Sequence, residues 1–522
     1  MKAVKRTCFR DRFPARLLCL LLAALLLAGC APAAETAPEN AETRILDDKY
    51  RNWYEVFVYS FADSDGDRYG DLNGLTGKLD YIASLGCNGI WLMPIMPSPS
   101  YHKYDVTDYY GIDPLYGTLD DFRTLLDEAH ARGIDVIIDL VVNHTSNEHP
   151  WFVSARSGEQ SPYRDYYNFV NEPQAGYNKA GDAYYESRFV ATMPDLNLDN
   201  PDVRDEIEAI LRFWLEMGVD GFRLDAVTSY YTGNPAKNIE FLSWLGDTAR
   251  AIAPECYIVG EAWEDLYTIA DYAQSRIDSF FCFPVSQREG YIAQILGGNV
   301  QQPGASYGRV TALLEEKLPG TIPAPFLGNH DTPRTASFLG TADPARLKMA
   351  AGLLAMMRGS IFLYYGEETG MTGTGNDPNK RIGILWTTRA ETTLCPPGTT
   401  AAEYPFPSVA EQEGDPDSLL NYYRHAMLLR NQNPEIARGD SEILACADTA
   451  CCLIRRTYAG ESVIIALNIG RESRELPLDG AALGYASLTG ALSAGEGEVA
   501  LTRGNGGADT LFLPPYSIAI LR

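Results

Sequence analysis

From residue 50 onward, short runs of apolar and aromatic residues alternate with longer amphipathic stretches. Short apolar runs bounded by turn residues are typical of buried strands, and the longer stretches have the period of helices. The pattern predicts eight strands, at residues 53–59, 89–93, 136–142, 221–227, 257–261, 279–283, 325–328 and 361–365. Because no dinucleotide-type glycine turn follows the first strand, we predict a TIM barrel rather than an open doubly wound sheet.

One helix has clearly marked ends. Asn200 can cap its start, Pro201 suits its first turn and Gly218 can end it. Apolar residues recur every three or four positions between these ends. We therefore predict an amphipathic helix directly before the fourth strand.

Two parts of the chain break the alternation. Residues 145–199 follow the third strand, are rich in Tyr, Asn and Pro, and are too long for an ordinary connection. They predict a small inserted domain over the barrel mouth. Residues 436–522 carry short strand patterns and turn signals without helices, which predicts a C-terminal antiparallel β-sandwich. The barrel then takes residues 50–144 and 200–435.

The first thirty residues are typical of a secretory signal: a basic region precedes an apolar run that is too short for a comfortable membrane span. The run ends in Leu-Ala-Gly-Cys, which resembles the lipobox of bacterial lipoproteins. That resemblance implies removal of residues 1–29 and lipidation of Cys30. An ordinary cleaved signal with a chance cysteine is the alternative. We expect residues 30–49 to be a flexible tether, and the protein to be anchored on the outer face of a bacterial cell membrane.

The charge balance excludes some partners. The chain has 43 basic and 69 acidic side chains, a formal charge of −26 at pH 7. Such an acidic chain disfavours nucleic acid as a ligand. Of its ten cysteines, two would leave with the signal and Cys30 would carry lipid. The other seven are odd in number and scattered, which predicts no disulfide framework and no Cys-x-x-Cys metal site, although Cys446 could bridge to Cys451 or Cys452 across a hairpin. The oligomeric state stays open.

Polar residues stand at the carboxyl ends of several predicted strands. They are Asp139, Asn143 and His144 after the third strand, Arg223 and Asp225 after the fourth, Glu261 after the fifth, and His330 and Asp331 after the seventh. In a TIM barrel these ends meet on one face, where active sites are built. Carboxylates facing a shared pocket, without a transition-metal ligand set, point to glycoside hydrolysis.

Two of these carboxyl groups have different surroundings. Arg223 and Asp225 lie two residues apart on a strand and face the same side. The guanidinium favours the ionised form of the carboxylate, which suits a nucleophile, although a structural ion pair is the alternative. Glu261 lies among apolar and aromatic neighbours, which should raise its pKa and suit it to act as an acid.

Five segments look like the signature regions of the α-amylase family of glycoside hydrolases. They are DLVVNH at 139–144, MPDLN at 193–197, GFRLD at 221–225, GEAW at 260–263 and GNHD at 328–331. The resemblance implies a retaining mechanism with Asp225 as nucleophile and Glu261 as acid/base. It also implies that Asp331, His144 and His330 bind the hydroxyls of the sugar, with Arg223 beside the nucleophile.

Two more segments resemble sugar-binding parts of the same family. YHKYDVTDY at 101–109 implies that Tyr104 is a stacking platform and Asp105 a supporting charge. GNDPNKR at 375–381 implies that Asp377 and Arg381 hold sugars on the non-reducing side of the cleavage point. For the second segment a plain surface turn is the alternative.

One acidic loop suggests a metal. DSDGDRYGD at 63–71 places oxygen ligands at alternate positions, and Gly66 permits a tight turn. The ligand set would be Asp63, Asp65, Asp67, Tyr69 and Asp71. An acidic turn is the alternative, but the family resemblance favours structural Ca²⁺.

The choice of substrate is least defined. Ala226 follows Asp225 where 1,6-cleaving members of the family tend to carry valine, which favours α-1,4 bonds. Thr228 and Ser229 stand where α-amylases often have Lys and His on the leaving-group side. We expect hydrolysis of α-1,4 bonds in starch-derived glucans or maltodextrins. The alternatives are an α-glucosidase or 4-α-glucanotransferase acting on short maltooligosaccharides, or a non-catalytic glucan-binding or transporter-ancillary relative.

Overall fold

The computed structural model describes Glu35, residues 44–504 and residues 508–522. The predicted signal peptide, Cys30 and most of the predicted tether lie outside these residues. Within the described part, no helix combines the length and apolar character needed to cross a bilayer. From Arg44 onward the chain already lies against the barrel, where Lys49 Nζ is 2.9 Å from Asp278 Oδ1.

The helices and strands alternate as the sequence pattern predicts. The strands are β1 (Asn52–Val56), β2 (Gly89–Leu92), β3 (Asp135–Leu140), β4 (Phe169–Val170), β5 (Tyr177–Ala180), β6 (Ala183–Glu186), β7 (Gly221–Leu224), β8 (Tyr257–Gly260), β9 (Ser279–Phe281), β10 (Ile322–Ala324), β11 (Ile361–Tyr364), β12 (Asp440–Leu444), β13 (Cys451–Tyr458), β14 (Glu461–Asn468), β15 (Arg474–Asp479), β16 (Leu488–Ser493), β17 (Ala500–Thr502), β18 (Ala508–Leu513) and β19 (Ser517–Leu521). The α-helices are α1 (Val58–Phe61), α2 (Leu72–Thr76), α3 (Leu79–Ser84), α4 (Leu119–His130), α5 (Pro150–Ala155), α6 (Pro201–Met217), α7 (Pro235–Ile252), α8 (Leu266–Tyr272), α9 (Tyr291–Leu296), α10 (Pro303–Lys317), α11 (Thr335–Leu339), α12 (Pro344–Ala355), α13 (Asp377–Lys380), α14 (Val409–Glu413), α15 (Leu419–Gln432), α16 (Pro434–Arg438) and α17 (Gly480–Leu483).

Eight parallel strands form the barrel. Their order in the sheet is β10-β9-β8-β7-β3-β2-β1-β11. A bridge between Phe326, just after β10, and Phe362 on β11 closes the ring. Trp53, Trp91 and Tyr257 belong to an apolar cluster that also includes Phe362 and is contributed by the barrel strands. The strands therefore surround a packed core, as expected for a TIM barrel.

The seventh barrel strand lies earlier than predicted. It spans Ile322–Ala324 rather than residues 325–328. Pro323 and Pro325 have no N–H to donate, so they contribute only acceptors at the border with β11. The amides of Ser360 and Phe362 donate to the carbonyls of Pro323 and Pro325, at 2.9 Å in each case. The other seven predicted strands are confirmed, and each of them ends earlier than predicted.

The predicted helix before the fourth strand is confirmed as α6. Asn200 accepts a hydrogen bond from the backbone amide of Asp202 at 2.9 Å, and Gly218 ends the helix with a left-handed φ of 111°. Trp214, on the buried face, donates from Nε1 to the carbonyl of Tyr109 at 3.0 Å. The helix therefore packs against the wall of the barrel, next to β7.

The segment between β3 and α6 contains a small antiparallel sheet. Its strand order is β4-β6-β5, and Phe152 on α5 packs edge-on against Tyr185 of β6 with ring centroids 4.7 Å apart. A bridge between His144 and Asp195 ties the end of the segment back to the end of β3. This link holds residues 188–193 beside the barrel mouth.

The C-terminal strands form two antiparallel sheets. One has the order β12-β13-β14-β19-β16 and the other β15-β18-β17. Leu453, Leu476, Leu511 and Leu521 are part of the buried apolar layer that both sheets share. This arrangement is the predicted β-sandwich.

The suggested disulfide bridge is absent from the described residues. Cys446, Cys451 and Cys452 are free thiols, and the Cys446 thiol donates to the carbonyl of Asp448 at 3.3 Å. Cys451 and Cys452 are neighbours on β13, so they face opposite sides of the strand. Burial raises the pKa of each of these two thiols to about 12.

Candidate active site

The carboxyl ends of β3, β7, β8 and β10 bring the predicted polar side chains together around one arginine. Arg223, on β7, has a side chain that is 0% exposed. Its Nη1 lies 2.8 Å from Asp139 Oδ1 and 2.8 Å from Asp225 Oδ1. Its Nη2 lies 2.8 Å from Glu261 Oε2. One buried cation therefore balances three carboxyl groups.

If all three carboxyl groups were ionised, their negative charge would exceed the single positive charge of Arg223. Burial raises the pKa of Glu261 to about 7, although Arg223 acts in the opposite direction. Burial likewise raises the pKa of Asp139 to about 6. Near neutral pH, Glu261 can therefore hold a proton and release it, which is the property of a general acid.

The residue after Asp225 has an unusual backbone. Ala226 is left-handed, with φ 45° and ψ 48°. Its amide donates to Glu261 Oε2 at 3.1 Å. A non-glycine residue in this region is uncommon and is found where a site requires it. Here the turn aims the amide at Glu261.

His330 and Asp331 form a second charged pair. Burial would lower the pKa of His330, but the carboxylates of Asp331 and Glu55 raise it to about 9. Its Nδ1 is 2.5 Å from Glu55 Oε1 and its Nε2 is 3.0 Å from Asp331 Oδ2. Burial alone would raise the pKa of Asp331, but His330 and Arg381 hold it well below its usual range. Asp331 therefore remains ionised at neutral pH.

A cleft of about 320 Å³ opens above these groups. It is lined by His102, Tyr104, His144, Phe189, Val190, Met193, Asp225, Asp331, Asp377 and Arg381. The ring of Tyr104 stacks on His330 with centroids 5.6 Å apart and planes 20° apart, and its hydroxyl donates to Asp139 Oδ2 at 3.0 Å. A larger cavity at the amino-terminal end of the barrel contains none of these residues.

The segment at residues 375–381, which is predicted to bind sugar, lies at the rim of this cleft. Arg381 Nη2 is 2.7 Å from Asp331 Oδ1. Lys380 Nζ pairs with Asp377 at 2.9 Å and donates to the backbone carbonyl of Asp331 at 2.5 Å. The segment is therefore bonded to the site rather than standing apart as a plain surface turn.

Asp105 lies behind the cleft instead of lining it. Its Oδ1 accepts hydrogen bonds from the hydroxyls of Ser98, at 2.7 Å, and Ser100. The Ser100 hydroxyl is also 3.0 Å from Nδ1 of His102. Asp105 therefore supports His102 through Ser100 and does not face the cleft itself.

Four residues that line the cleft are not among the predicted site residues, namely His102, Phe189, Val190 and Met193, although His102 and Met193 lie within two of the recognised segments. None of them stands at the end of a barrel strand. Phe189 and Val190 are 44% and 51% exposed although they are apolar. The same segment contains a second such pair, Phe169 and Val170, so the apolar pair alone does not mark the cleft.

The acidic loop at 63–71 gathers part of the predicted metal ligands. Asp63, Asp65 and Asp71 each offer a carboxylate oxygen within 4.8 Å of the others. Asp67 is not in this group, and its carboxylate accepts from the backbone amide of Tyr69 at 2.7 Å. Converging carboxylate oxygens are the donors that Ca²⁺ prefers, so the set fits that ion.

A TIM barrel with paired carboxyl groups at its carboxyl-terminal rim defines the class of the protein, a glycoside hydrolase. The chain matches the family model for the alpha amylase catalytic domain over residues 55–439. It is 40% identical over 442 residues to Alpha-amylase 3 of Dictyoglomus thermophilum, which covers 81% of this chain and 85% of that protein. The chain therefore belongs to the α-amylase family.

Further relatives carry more than one activity in their names. The probable alpha-glucosidase of Rhizobium meliloti is 30% identical over 529 residues, covering 84% of this chain and 94% of that protein. Among solved structures, Eubacterium rectale Amy13B superposes with a TM-score of 0.88 at 41% identity, covering 93% of this chain and 99% of that one. Similarity thus identifies the family more sharply than the substrate.

Proposed function

We propose that the protein is a retaining hydrolase that cleaves α-1,4-glucosidic bonds in starch-derived glucans or maltodextrins. The observation that carries this proposal is the shared guanidinium of Arg223, which contacts Asp225 and Glu261 at 2.8 Å each. Two carboxyl groups on one guanidinium stand close together. Retaining enzymes separate them by about 5–5.5 Å, whereas inverting enzymes need about 6.5–9.5 Å for a water molecule.

In this mechanism each of the two carboxyl groups has one role. A carboxylate oxygen of Asp225 attacks the anomeric carbon while the bond to the leaving oxygen breaks, and Glu261 gives its proton to that oxygen. The product is a covalent glycosyl ester on Asp225. Glu261, now ionised, takes a proton from water as the water attacks the anomeric carbon, which releases Asp225 and restores the protonated acid.

The remaining groups bind and orient the sugar. Ionised Asp331 accepts hydrogen bonds from sugar hydroxyls, and protonated His330 holds that carboxylate in place. Tyr104, fixed between His330 and Asp139, offers its ring as a stacking surface. Burial lowers the pKa of His144, so its neutral ring serves as a hydrogen-bonding partner. Asp377 and Arg381 hold the sugar on the non-reducing side.

The test of hydrolysis is release of reducing sugar from maltoheptaose by the wild type and by Asp225→Asn. We expect turnover by the wild type and a loss of about 10⁴-fold or more in the variant, since the nucleophile is removed. Equal, negligible release from both would refute the enzymatic role in favour of a glucan-binding one.

A second candidate function is that of an α-glucosidase or 4-α-glucanotransferase on short maltooligosaccharides. The apolar pair Phe189 and Val190 favours it, because these side chains line the cleft beside Asp225. Product analysis on amylose, pullulan and isomaltose separates the candidates. Mixed oligosaccharides from amylose support endo-hydrolysis of α-1,4 bonds, glucose alone supports the glucosidase, and longer products support the transferase.

We also propose that the loop at 63–71 binds Ca²⁺ as a structural ion. The support is the convergence of oxygens from Asp63, Asp65 and Asp71. A calcium-specific chelator should lower the Tm, and added Ca²⁺ should restore it, since an ion that binds the folded state stabilises it. Asp71→Asn is the matched variant, and its Tm should no longer respond to the chelator. An unchanged wild-type Tm would refute this assignment.

We further propose that Cys30 carries a lipid that anchors the mature chain at the outer face of the cell membrane. The support is the run of small residues that ends in Cys30, directly after the apolar signal. In a bacterial host, Cys30→Ala should move the protein from the membrane fraction to the soluble fraction. Cys8→Ala, within the segment to be removed, is the control, and membrane retention of Cys30→Ala would overturn the proposal.

A further inference from the structure

Arg188 connects the inserted segment to the loop that follows the nucleophile strand. It lies two residues after β6, and its Nε donates to the hydroxyl of Ser229 at 2.8 Å. Its Nη1 donates to the hydroxyl of Thr232 at 3.3 Å. Its backbone amide donates to Asp195 Oδ2 at 3.0 Å, which fixes the point from which the side chain extends. One side chain therefore joins two walls of the barrel mouth.

The two side-chain partners of Arg188 are neutral hydroxyl groups. Within the described residues, no carboxylate forms an ion pair with its guanidinium; its charge acts at a distance on Asp195, opposing the burial that raises the pKa of that carboxyl to about 7. A guanidinium has five N–H donors, and the two hydroxyl partners take only two of them. Arg188 is exposed, so its remaining donors face solvent. An exposed arginine that is held by neutral hydroxyl groups is suited to donate to further hydroxyl groups on a ligand.

The position of Ser229 indicates which sugar would be bound. Ser229 follows β7, the fourth strand of the barrel, whereas Arg381 follows β11, the eighth. Fourth and eighth strands lie on opposite sides of an eight-stranded ring. Glu261, which gives its proton to the leaving group in the proposed mechanism, follows β8, the neighbour of β7. Arg381 is proposed to hold the sugar on the non-reducing side of the cleavage point. We therefore infer that the leaving-group sugar lies on the opposite side, near Ser229 and Arg188.

Phe189 adds an apolar surface next to this polar group. It directly follows Arg188, lines the cleft and is 44% exposed. Its ring meets His144 edge-on, with centroids 5.3 Å apart. Sugar rings have apolar faces and polar edges, so an exposed aromatic ring beside free N–H donors matches both parts of a sugar.

We propose that Arg188, held by Ser229, forms the polar part of the binding site for the leaving-group sugar, with Phe189 as its apolar part. This inference rests on the proposed glycosidase function and names a residue that sets its specificity. The site that releases the leaving sugar also receives an acceptor sugar once the covalent intermediate has formed. Arg188 therefore also influences whether water or a second sugar accepts the glycosyl group.

The test compares two substrates that differ only in their leaving group. Maltotriose releases a sugar, whereas α-maltosyl fluoride releases fluoride and leaves the proposed sugar site empty. Arg188→Ala should lower kcat/KM for maltotriose by about tenfold or more, because charge-assisted hydrogen bonds to the leaving sugar are lost. Its kcat/KM for the fluoride should stay within about twofold of the wild type. Arg188→Lys, which keeps the charge, should recover part of the loss on maltotriose.

Arg156→Ala is the matched control, because Arg156 is an exposed arginine in the same inserted segment and, among the described residues, lacks the bonds to Ser229 and Thr232 that Arg188 makes. It should leave both substrates unaffected. An equal loss of Arg188→Ala on both substrates would show a structural role and overturn the inference, and so would no loss on either. A wild type inactive on both substrates would refute the proposed function as well. With maltose added as acceptor, the ratio of transfer to hydrolysis should also fall in Arg188→Ala.

Discussion

Replacement of Arg223 by methionine tests the electrostatic core of the site. The side chain is fully buried, and it contacts Asp139, Asp225 and Glu261 at 2.8 Å each. Removing one partner of a buried ion pair costs about 3–5 kcal/mol of stability. Three carboxyl groups lose their cation here, but they can take up protons in response, which limits the cost. We therefore expect a loss of about 3–5 kcal/mol at pH 8.

The loss should depend on pH, and its sign follows from the pKa values. In the folded wild type the pKa of Glu261 is about 7 and that of Asp139 about 6, both raised above their unfolded values. Such groups cost stability as pH rises from the unfolded to the folded pKa. Without Arg223 both folded pKa values rise further. One extra unit for each widens the gap between variant and wild type by about 2 kcal/mol from pH 5 to pH 8.

The measurement is urea unfolding at pH 5 and pH 8, followed by tryptophan fluorescence. Arg223→Lys keeps one charge but not the planar fork that reaches several carboxyl groups, so its loss should be intermediate and less dependent on pH. An Arg223→Met loss of equal size at both pH values would show that packing, not charge, dominates. That result would refute the reasoning.

Three further predictions follow from the site and the barrel. The kcat/KM of the wild type should fall as pH rises through about 7, where Glu261 loses its proton. With α-maltosyl fluoride as substrate, the kcat/KM of Glu261→Gln should not show this fall. Asp331→Asn should lower the pKa of His330 from about 9, which NMR titration of the ring would detect, whereas an unchanged value would mean that Glu55 alone sets it. Gly221→Ala should destabilise the barrel by about 1–3 kcal/mol or more, since its Cβ would meet the Tyr257 carbonyl at 1.9 Å, while Gly77→Ala, with nearest contacts of 3.4 Å, should be close to neutral in the same urea assay.

Barrel topology explains why much of the site could be predicted from sequence. Once the strands are recognised, their carboxyl ends must meet on one face, so the side chains of Asp225, Glu261 and Asp331 can be placed together without coordinates. The end of α6 at Gly218 was predicted from a local signal, because glycine readily takes the left-handed conformation found there.

The features that the sequence did not predict depend on contacts between distant parts of the chain, which no local sequence pattern contains. Phe189 reaches the cleft through an irregular stretch after β6, whose path is set by the bridge between His144 and Asp195. Asp105 is predicted as a supporting charge, but only the fold shows which groups it supports, namely the hydroxyls of Ser98 and Ser100. The seventh strand lies earlier than predicted. Pro323 and Pro325 alter its pairing with β11, while the apolar pattern on which the prediction rests continues beyond them.

The two prolines at the border between β10 and β11 also affect how the barrel can move. Pro323 and Pro325 have no N–H, so at these two positions the hydrogen bonds come from the amides of Ser360 and Phe362. Amide exchange at these two positions should therefore be faster than at the centres of the other barrel strands, since a border that lacks two N–H donors opens at lower cost. Asp331 follows one of these strands and Arg381 the other. We therefore expect the wall that carries Asp331 and Arg381 to open more readily than the wall that carries Arg223.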